Sequence, residues 1–325
     1  MIRLRTLQDY APSVEVRRVI YAFAGAILLF VIGQIVHPGF GSRNSIQEVL
    51  VIASFVGLVA CGQMFVILIG GIDLSVPWVL NGAAILFVTS ALGQNSRILF
   101  AVPLVLIMGL AIGLVNGAGV AYLNIPAVVM TLGMNGIMQG LTLGISNGLT
   151  CSSCASYAPP ILQNIVNGKL FGIPGELLLW LGLIIVVTFA LGSTTFGRRI
   201  YAIGNNAEAT YLAGIRVKRV TVALYMLSGM FSALAGIILV SFGGQASLGM
   251  GDPYLFQSIA AVVIGGVYIL GGRGNYLGTT AGAITLVALV SVLLAENMPD
   301  YGRSIIYGVV LLAILLLYGR EEREA

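Results

Sequence analysis

The sequence predicts an all-α, polytopic membrane protein of about ten transmembrane helices, and three observations carry that prediction. Charged residues make up only 9% of the 325 and hydrophobic ones 58%, against about 25% and 45–50% in soluble domains. The mean hydropathy is +1.01. Apolar stretches of about 20 residues, the length that crosses a bilayer, recur along the whole chain. Sixteen basic and twelve acidic side chains are too few to coat a soluble globule of this size, which excludes a soluble enzyme. The formal charge of +4 is not gathered into the basic patches of a nucleic-acid binder. With one histidine and three cysteines, neither a metal site nor a disulfide framework is expected.

Taken in order, the spans fall at 19–36, 46–70, 73–92, 98–122, 126–147, 176–193, 217–242, 254–271, 275–295 and 303–318. Only Gly70-Gly71-Ile72-Asp73 separates the second from the third, and the fifth is rich in glycine, so the count runs from eight to ten. The first stretch is longer than the ~7–15-residue apolar core of a signal peptide and no clear small-residue cleavage site follows it, so it reads as a retained helix. Basic loops resist translocation. With ten spans and the N-terminus inside, twelve of the sixteen basic residues fall inside: Arg3, Arg5, Arg17, Arg18, Arg198, Arg199, Arg216, Lys218, Arg219, Arg273, Arg320 and Arg323. Arg43, Arg97, Lys169 and Arg303 fall outside. Both terminal segments, 1–18 and 319–325, are therefore expected in the cytoplasm, flanking a transmembrane domain at 19–318. The longest non-membrane stretches, 148–175 outside and 194–216 inside, each have fewer than thirty residues. Neither can hold a nucleotide-binding domain, and no Walker-type phosphate loop appears. If the protein pumps, a partner supplies the energy.

Glycine accounts for 43 residues, about twice the usual ~7%. Gly109, Gly113 and Gly117 in the fourth span, and Gly136, Gly140 and Gly144 in the fifth, recur every four residues, which puts each set on one helix face. Such rows let a neighbouring helix approach closely in lipid. Both are predicted as packing ridges, and Gly140→Leu is expected to disrupt assembly. Beside the second row stand Asn135, Gln139, Thr142 and Ser146, spaced 4, 3 and 4, a single helical stripe. Polar side chains in hydrocarbon need partners. The stripe either glues helices together or lines a wet translocation path for a hydroxyl-rich solute. A whole stripe favours the path, since one glutamine would suffice as glue.

Apart from Glu48 and Glu176 in the end turns of their spans, Asp73 is the only acidic residue inside the apolar stretches, and an intramembrane carboxylate is a functional hypothesis by default. Gly70 and Gly71 can break one helix. Asp73 can then cap the next by accepting from backbone N–H groups near Ser75 and Val76, with Pro77 tolerated in the first turn. A structural cap, a contact made during transport and a proton or cation site are the alternatives. The lack of a second ionisable partner argues against a proton relay. Val66–Gly71 echoes Val267–Gly272 at an offset of 201, which chance and duplication explain about equally.

Between the sixth and seventh spans, Thr195–Ile215 has the pattern of a short capped helix. Asn206 suits the N-cap, Glu208 the first turn and Gly214 the closing position. Arg198, Arg199, Arg216, Lys218 and Arg219 flank it. A helix this short is not stable alone in water. Either a partner protein grips it or anionic lipid holds an ordinary loop.

The stretch Gly197–Ile215 resembles the coupling region of the permease subunits of ribose-type (simple-sugar) ABC importers. Similar too are Gly70–Val76 (GGIDLSV), Gly113–Gly117 (GLVNG), Pro126–Gly133, Phe171–Pro174 (FGIP) and Ile259–Gly274, in the family's order over residues 46–320. The resemblance implies a subunit of the bacterial inner membrane, not itself an enzyme and without a cofactor, forming the path for a sugar or sugar-like solute. It implies a second permease subunit, identical or not, two cytoplasmic ATPase subunits that carry ATP and Mg, and a periplasmic solute-binding protein. It makes 197–216 the ATPase-coupling segment, with Gly204, Asn206, Glu208 and Gly214 its best-placed residues. Gly70, Gly71, Asp73 and Ser75 form the broken-helix motif. The chain departs from the family's pattern at Pro77-Trp78, where Gly-Ser is usual, and at Leu255 and Gln257, where Glu and Asp are frequent. Gln257 joins Asn135, Gln139, Thr142 and Ser146 as a candidate path residue, and the solute stays open. The rival class is a stand-alone secondary transporter or channel, which would show several intramembrane charges or a filter motif.

Smaller signals complete the reading. Cys151 and Cys154 form a C-x-x-C in the outer loop, as a local disulfide, as free thiols or, least favoured for want of two further ligands, as a metal site, and that loop fits a contact for a binding protein and a plain connector equally. Cys61 suits a small packing position. His37, Trp180, Tyr254 and Tyr301 lie near span ends, where the aromatic rings suit interfacial belts.

Overall fold

The computed structural model describes residues 14–148 and 157–296, with 298–299, 302, 305–306 and 308–309 beyond them. Most of segment 1–18, most of the expected tenth span, the tail 319–325, and Cys151, Cys154 and Tyr301 lie outside the described residues. The chain runs α1 (Val14–Val36), α2 (Arg43–Ile67), α3 (Val76–Ala91), α4 (Ile98–Tyr122), α5 (Ala127–Ser146), α6 (Pro160–Asn167), a hairpin of β1 (Lys169–Leu170) and β2 (Ile173–Pro174), α7 (Gly175–Ser193), α8 (Thr195–Asn205), α9 (Ala207–Leu212), α10 (Val217–Gly243), α11 (Tyr254–Ile264) and α12 (Tyr276–Ala295). Among the described residues, seven helices are long and apolar enough to cross a membrane.

Two expected spans are shorter than the sequence suggested. Helix α3 has 16 residues and α11 has 11, which at about 1.5 Å per residue fall short of a bilayer's hydrocarbon core. The apolar run 254–271 leaves the helix at Ile264 because glycines follow it. Gly266, Gly271, Gly272 and Gly274 all take positive φ, a conformation that helix does not use. The chain stays irregular until Asn275 caps α12 by accepting from Gly278 N at 2.7 Å.

Hydrogen bonds gather the connections into two ends. At one end Gln47 Nε2 donates to Gly172 O (3.0 Å), Ile161 N to Asn95 Oδ1 (3.0 Å) and Ala158 N to Gly244 O (3.0 Å). At the other, Gly272 N donates to Leu68 O (2.9 Å), Tyr201 Oη to Gly274 O (2.7 Å), and Lys218 Nζ lies 5.5 Å from the Tyr122 ring centre. Arg43, Arg97 and Lys169 thus share the first end. Arg198, Arg199, Arg216, Lys218, Arg219 and Arg273 share the second. This is the sorting that the basic-loop argument requires.

Helix α2 is the centre of the molecule, with every residue from Ala53 to Ile67 buried. Helices α4 and α10 pack backbone to backbone beside it. A Cβ on Gly109 would meet Gly229 O, one on Gly229 would meet Gly109 O, and one on Gly117 would lie 2.7 Å from Val222 Cα. The first glycine row is therefore a packing ridge, as expected. The second is not used that way within the chain, because nothing lies within 4 Å of a Cβ built on Gly136, Gly140 or Gly144. A period of four fixes a helix face but not which face meets a neighbour. Helix α5 packs on its other side, through buried Thr131, Met134, Met138 and Thr142.

Trp180 is a core residue rather than part of an interfacial belt. Its Nε1 donates to Tyr276 Oη (3.1 Å), which donates to Gly57 O (2.9 Å). The indole fills the space where a side chain on residue 57 would stand. Cys61 is fully buried, as its packing role predicts, and His37 is exposed just past α1.

Candidate functional site

The site is built around the end of α2. Gly70 turns the chain at φ +78, and Gly71 N still reaches Val66 O at 3.0 Å. The backbone then re-enters the molecule towards α3. Asp73 Oδ1 accepts from Ser75 N (2.9 Å) and Ser75 Oγ (2.6 Å), but Ser75 and not Asp73 is the N-cap residue of α3 and no side chain caps that helix, so Asp73 fastens the turn before α3 rather than capping it. Its other oxygen accepts from Ser228 Oγ of α10 at 2.7 Å. Asn116 Nδ2 of α4 donates to Ser75 Oγ (2.9 Å), and Leu74 N donates to Thr131 Oγ1 of α5 (3.0 Å). The Gln63 amide of α2, oriented by its surroundings, donates to Asp73 O (3.0 Å) and accepts from Asp73 N (3.3 Å). All six of these polar residues are buried. Helices α2, α3, α4, α5 and α10 are therefore pinned together at one polar knot, and Gly71 leaves room there for the Tyr225 hydroxyl. Sequence reasoning found Asp73 and Ser75 but missed Gln63, Asn116, Thr131's role and Ser228. A buried carboxylate needs several donors, and the polar residues scattered among glycines in neighbouring spans were the signal.

A second re-entrant segment was also missed. Residues 244–253 do not stay in an outer loop. The Asn81 amide donates to Ser247 O (3.0 Å) and accepts from Gly249 N (2.8 Å). A Cβ on Gly251 would strike Pro77 O. The segment therefore runs down α3 to its first turn and carries exposed Asp252 to the depth of the broken helix. Asp252 was not singled out by the sequence, because it falls among glycines between two expected spans. Gln257 follows on α11, half-buried.

The four polar residues of α5 do not share one environment. Thr142 is buried against α3, its Oγ1 3.1 Å from where a Cβ on Gly82 would stand. Asn135 and Ser146 are half-buried at the edge, and Asn135 Oδ1 has no partner among the described residues. Gln139 is exposed on the side of Gly136 and Gly140. The stripe thus marks the border between the packed face of α5 and an open glycine face.

At the opposite end of α10 the segment 195–215, where one short capped helix was expected, holds two helices, α8 and α9. Helix α8 begins where Thr194 Oγ1 accepts from Gly197 N (3.4 Å) and buries Ile200 and Ile203. Asn206 caps α9 by accepting from Ala209 N at 2.9 Å, Glu208 lies in its first turn, and Gly214 closes it at φ +85, as expected. Tyr211 and Leu212 are 69% and 79% exposed. Gly204 sits in a seam where a Cβ would strike Leu68 O and Gly272 N. The two echoing segments, Val66–Gly71 and Val267–Gly272, therefore lie against each other at the end of α8. Gly204→Val is expected to wedge this seam open and destabilise the chain by about 1–3 kcal/mol. A melting temperature equal to that of the unaltered chain would show that the seam is not tightly packed. Among the described residues no cluster of three His, Cys, Asp or Glu side chains could hold a metal.

A polytopic helical protein with two broken helices, an open glycine face and a capped helix pair at its basic end has the parts of a membrane permease. Residues 45–315 match the family described as the permease component of branched-chain amino acid transport systems, and the chain belongs to that family. It is 33% identical over 297 residues to the ribose import permease protein of Haemophilus influenzae, covering 91% of each chain. To the ribose import permease protein of Bacillus subtilis it is 34% identical over 300 residues, again 91% of each. To the autoinducer 2 import system permease protein of Escherichia coli it is 33% identical over 318 residues, 94% of this chain and 88% of the relative.

Proposed function

We propose that the chain is the membrane-spanning subunit of an ATP-driven importer and forms half of the path for a sugar or sugar-like solute. The observation that carries this reading is the open face of α5, where the glycine row and Gln139 stand beside the polar knot. A second permease subunit faces it across the path, in a bundle of about ten spans per chain. Asn135, Ser146, Gln257 and Asp252 border the path, while Thr142 holds α5 to α3. Both termini, α8 and α9 lie in the cytoplasm, a side supported by the sorting of the basic residues. The exposed Tyr211 and Leu212, with Glu208, are the surface for a cytoplasmic ATPase subunit, where ATP and Mg are bound. A solute-binding protein delivers the solute at the other end. The names of the relatives support a ribose-like or related small polyhydroxylated solute.

The mechanism follows from the connections. Closure of the ATPase dimer moves α8 and α9 as a lever. Gly204 passes the movement to both Gly-Gly segments, and α10 passes it to Ser228 and Asp73, so the broken helix shifts against α5. Thiol accessibility tests the path. On a background without native cysteines, Gln139→Cys in the assembled importer is expected to react with a water-soluble thiol reagent and Thr142→Cys is not. An inert Gln139→Cys would remove α5 from the path. A thermal-shift screen of the partner binding protein against pentoses, hexoses and sugar alcohols identifies the solute.

A further inference from the structure

The hairpin between α6 and α7 holds a residue that is costly where it stands. Leu170 pairs with Ile173, leaving a two-residue loop of Phe171 and Gly172. Phe171 has φ +53 and Gly172 φ +80. Positive φ at both central residues is the type I′ pattern, which favours Asn-Gly because glycine has no Cβ and the short polar side chain of asparagine can hydrogen-bond locally, whereas a phenylalanine is strained there. Leu92, Asn124 and Asn147 also take positive φ, but Leu92 and Asn147 close helices and Asn124 directly follows the C-cap of α4. Phe171 closes none, is 94% exposed, and its neighbours Leu170 and Ile173 are 58% and 43% exposed. The ring therefore contributes almost nothing to the chain's own packing. The hairpin is nevertheless held firmly. Gln47 Nε2 donates to Gly172 O at 3.0 Å, Gly175 N donates to Gly168 O at 2.8 Å, and Arg43 lies beside Gly172. A strained, rigid and apolar tip is the kind of backbone outlier that function maintains.

We infer that Phe171 is the anchor by which the solute-binding protein docks on this subunit. The inference rests on the importer reading, which puts the hairpin on the outer side. Lys169 and Arg43 flank the aromatic tip, so its complement is a water-soluble partner with an apolar socket rimmed by carboxylates. An aromatic side chain seated in a pocket inside a charged rim is the usual anatomy of a binding hot spot.

Phe171→Asn separates a structural role from a docking role, because Asn-Gly suits this turn better than Phe-Gly does. The importer with its own ATPase subunits is placed in nanodiscs, and ATP hydrolysis is measured with and without solute-loaded binding protein. Phe171→Asn is expected to melt no lower than the unaltered protein and to keep basal hydrolysis, while the binding protein's concentration for half-maximal stimulation rises about tenfold or more. Phe171→Trp is expected to retain stimulation. Full stimulation of Phe171→Asn at the original concentration overturns the docking role. Failure of the unaltered complex to respond to binding protein overturns the importer reading and this inference with it. In intact cells, benzoylphenylalanine at position 171 is expected to cross-link to that binding protein. Adducts only with lipid or with a second copy of this chain overturn the inference.

Discussion

Leucine at Gly113 is expected to prevent folding, whereas leucine at Gly140 is expected to leave the fold intact and stop transport. A Cβ on Gly113 would strike Tyr225 O and lie 2.6 Å from Met226 Cα and 2.7 Å from Tyr225 C. These are backbone atoms of α10, which cannot swing aside as a side-chain end can. Admitting four carbons requires α4 and α10 to separate along the Gly109–Gly113–Gly117 row, which also disturbs Asn116 at the polar knot. The cost is expected to exceed about 4 kcal/mol, and the chain is expected to give no monodisperse peak after detergent extraction. At Gly140 a Cβ meets nothing within 4 Å and opens onto the uncovered face of α5. Replacing glycine inside a helix with a better helix former is worth about 1 kcal/mol, so the melting temperature is expected to hold or rise. A branched apolar chain projecting from the open face instead narrows the proposed path, and uptake is expected to fall while basal ATP hydrolysis persists. This reverses what the spacing alone implied, namely that Gly140→Leu breaks assembly. If Gly140→Leu prevents association with the other subunits and leaves no assembled importer, the row is a packing ridge between chains and not a path wall.

The contrast between these two rows marks the limit of what the sequence could tell. Both have glycine every four residues, and both read as ridges. Periodicity describes one helix, while the partner of a face is a property of the assembled bundle. Local chemistry was far more legible. Asn206, Glu208 and Gly214 predicted a capped helix because caps involve only residues a few positions apart, and the Asp73–Ser75 contact was legible over the same short range, although Asp73 holds the turn before α3 rather than its cap. Ser228 lies 155 residues from Asp73 in the chain, and no local rule pairs them. Length misled at α11, where apolar character ran to Gly271 but backbone freedom at Gly265 and Gly266 ended the helix. Composition was uninformative at residues 244–253, a glycine-rich polar stretch left between the expected spans 217–242 and 254–271. It runs into the molecule because Asn81 supplies a donor and an acceptor to its backbone. Trp180 read as a belt residue from its place near a span end, but Gly57 on α2 leaves the gap that its indole fills.

Asp73→Ala is expected to unfasten the broken helix, and Asp73→Asn is expected to keep it fastened. The carboxylate is 1% exposed and takes three donors, Ser75 N, Ser75 Oγ and Ser228 Oγ. Alanine leaves all three without an acceptor. A buried polar group left unsatisfied costs about 1–3 kcal/mol, but the Ser228 hydroxyl can turn to a carbonyl of the preceding turn of α10, so the expected loss is about 2–4 kcal/mol rather than the full sum. Asparagine preserves the shape. Its oxygen can take the Ser75 donors, and its amide can donate to Ser228 Oγ, since a hydroxyl both donates and accepts. Asp73→Asn is therefore expected to melt near the unaltered chain and to keep uptake within about threefold, less than 1 kcal/mol of coupling. A folded Asp73→Asn chain that has lost transport would show that the negative charge itself acts in the cycle. Ser228→Ala removes one donor and is expected to cost about 1 kcal/mol. Combined with Asp73→Asn, it should cost less than the two changes separately, by the coupling expected of residues in one hydrogen-bond network. The position of Ser228 gives this pair its mechanical meaning. Residues 213–216 join α9 to helix α10, which reaches the broken helix at Ser228, so under the proposed lever mechanism one route from α9 to Asp73 is a single helix and one 2.7 Å hydrogen bond. Weakening that bond without unfolding the chain should separate ATP hydrolysis from uptake, and Ser228→Ala is the smallest change that does so.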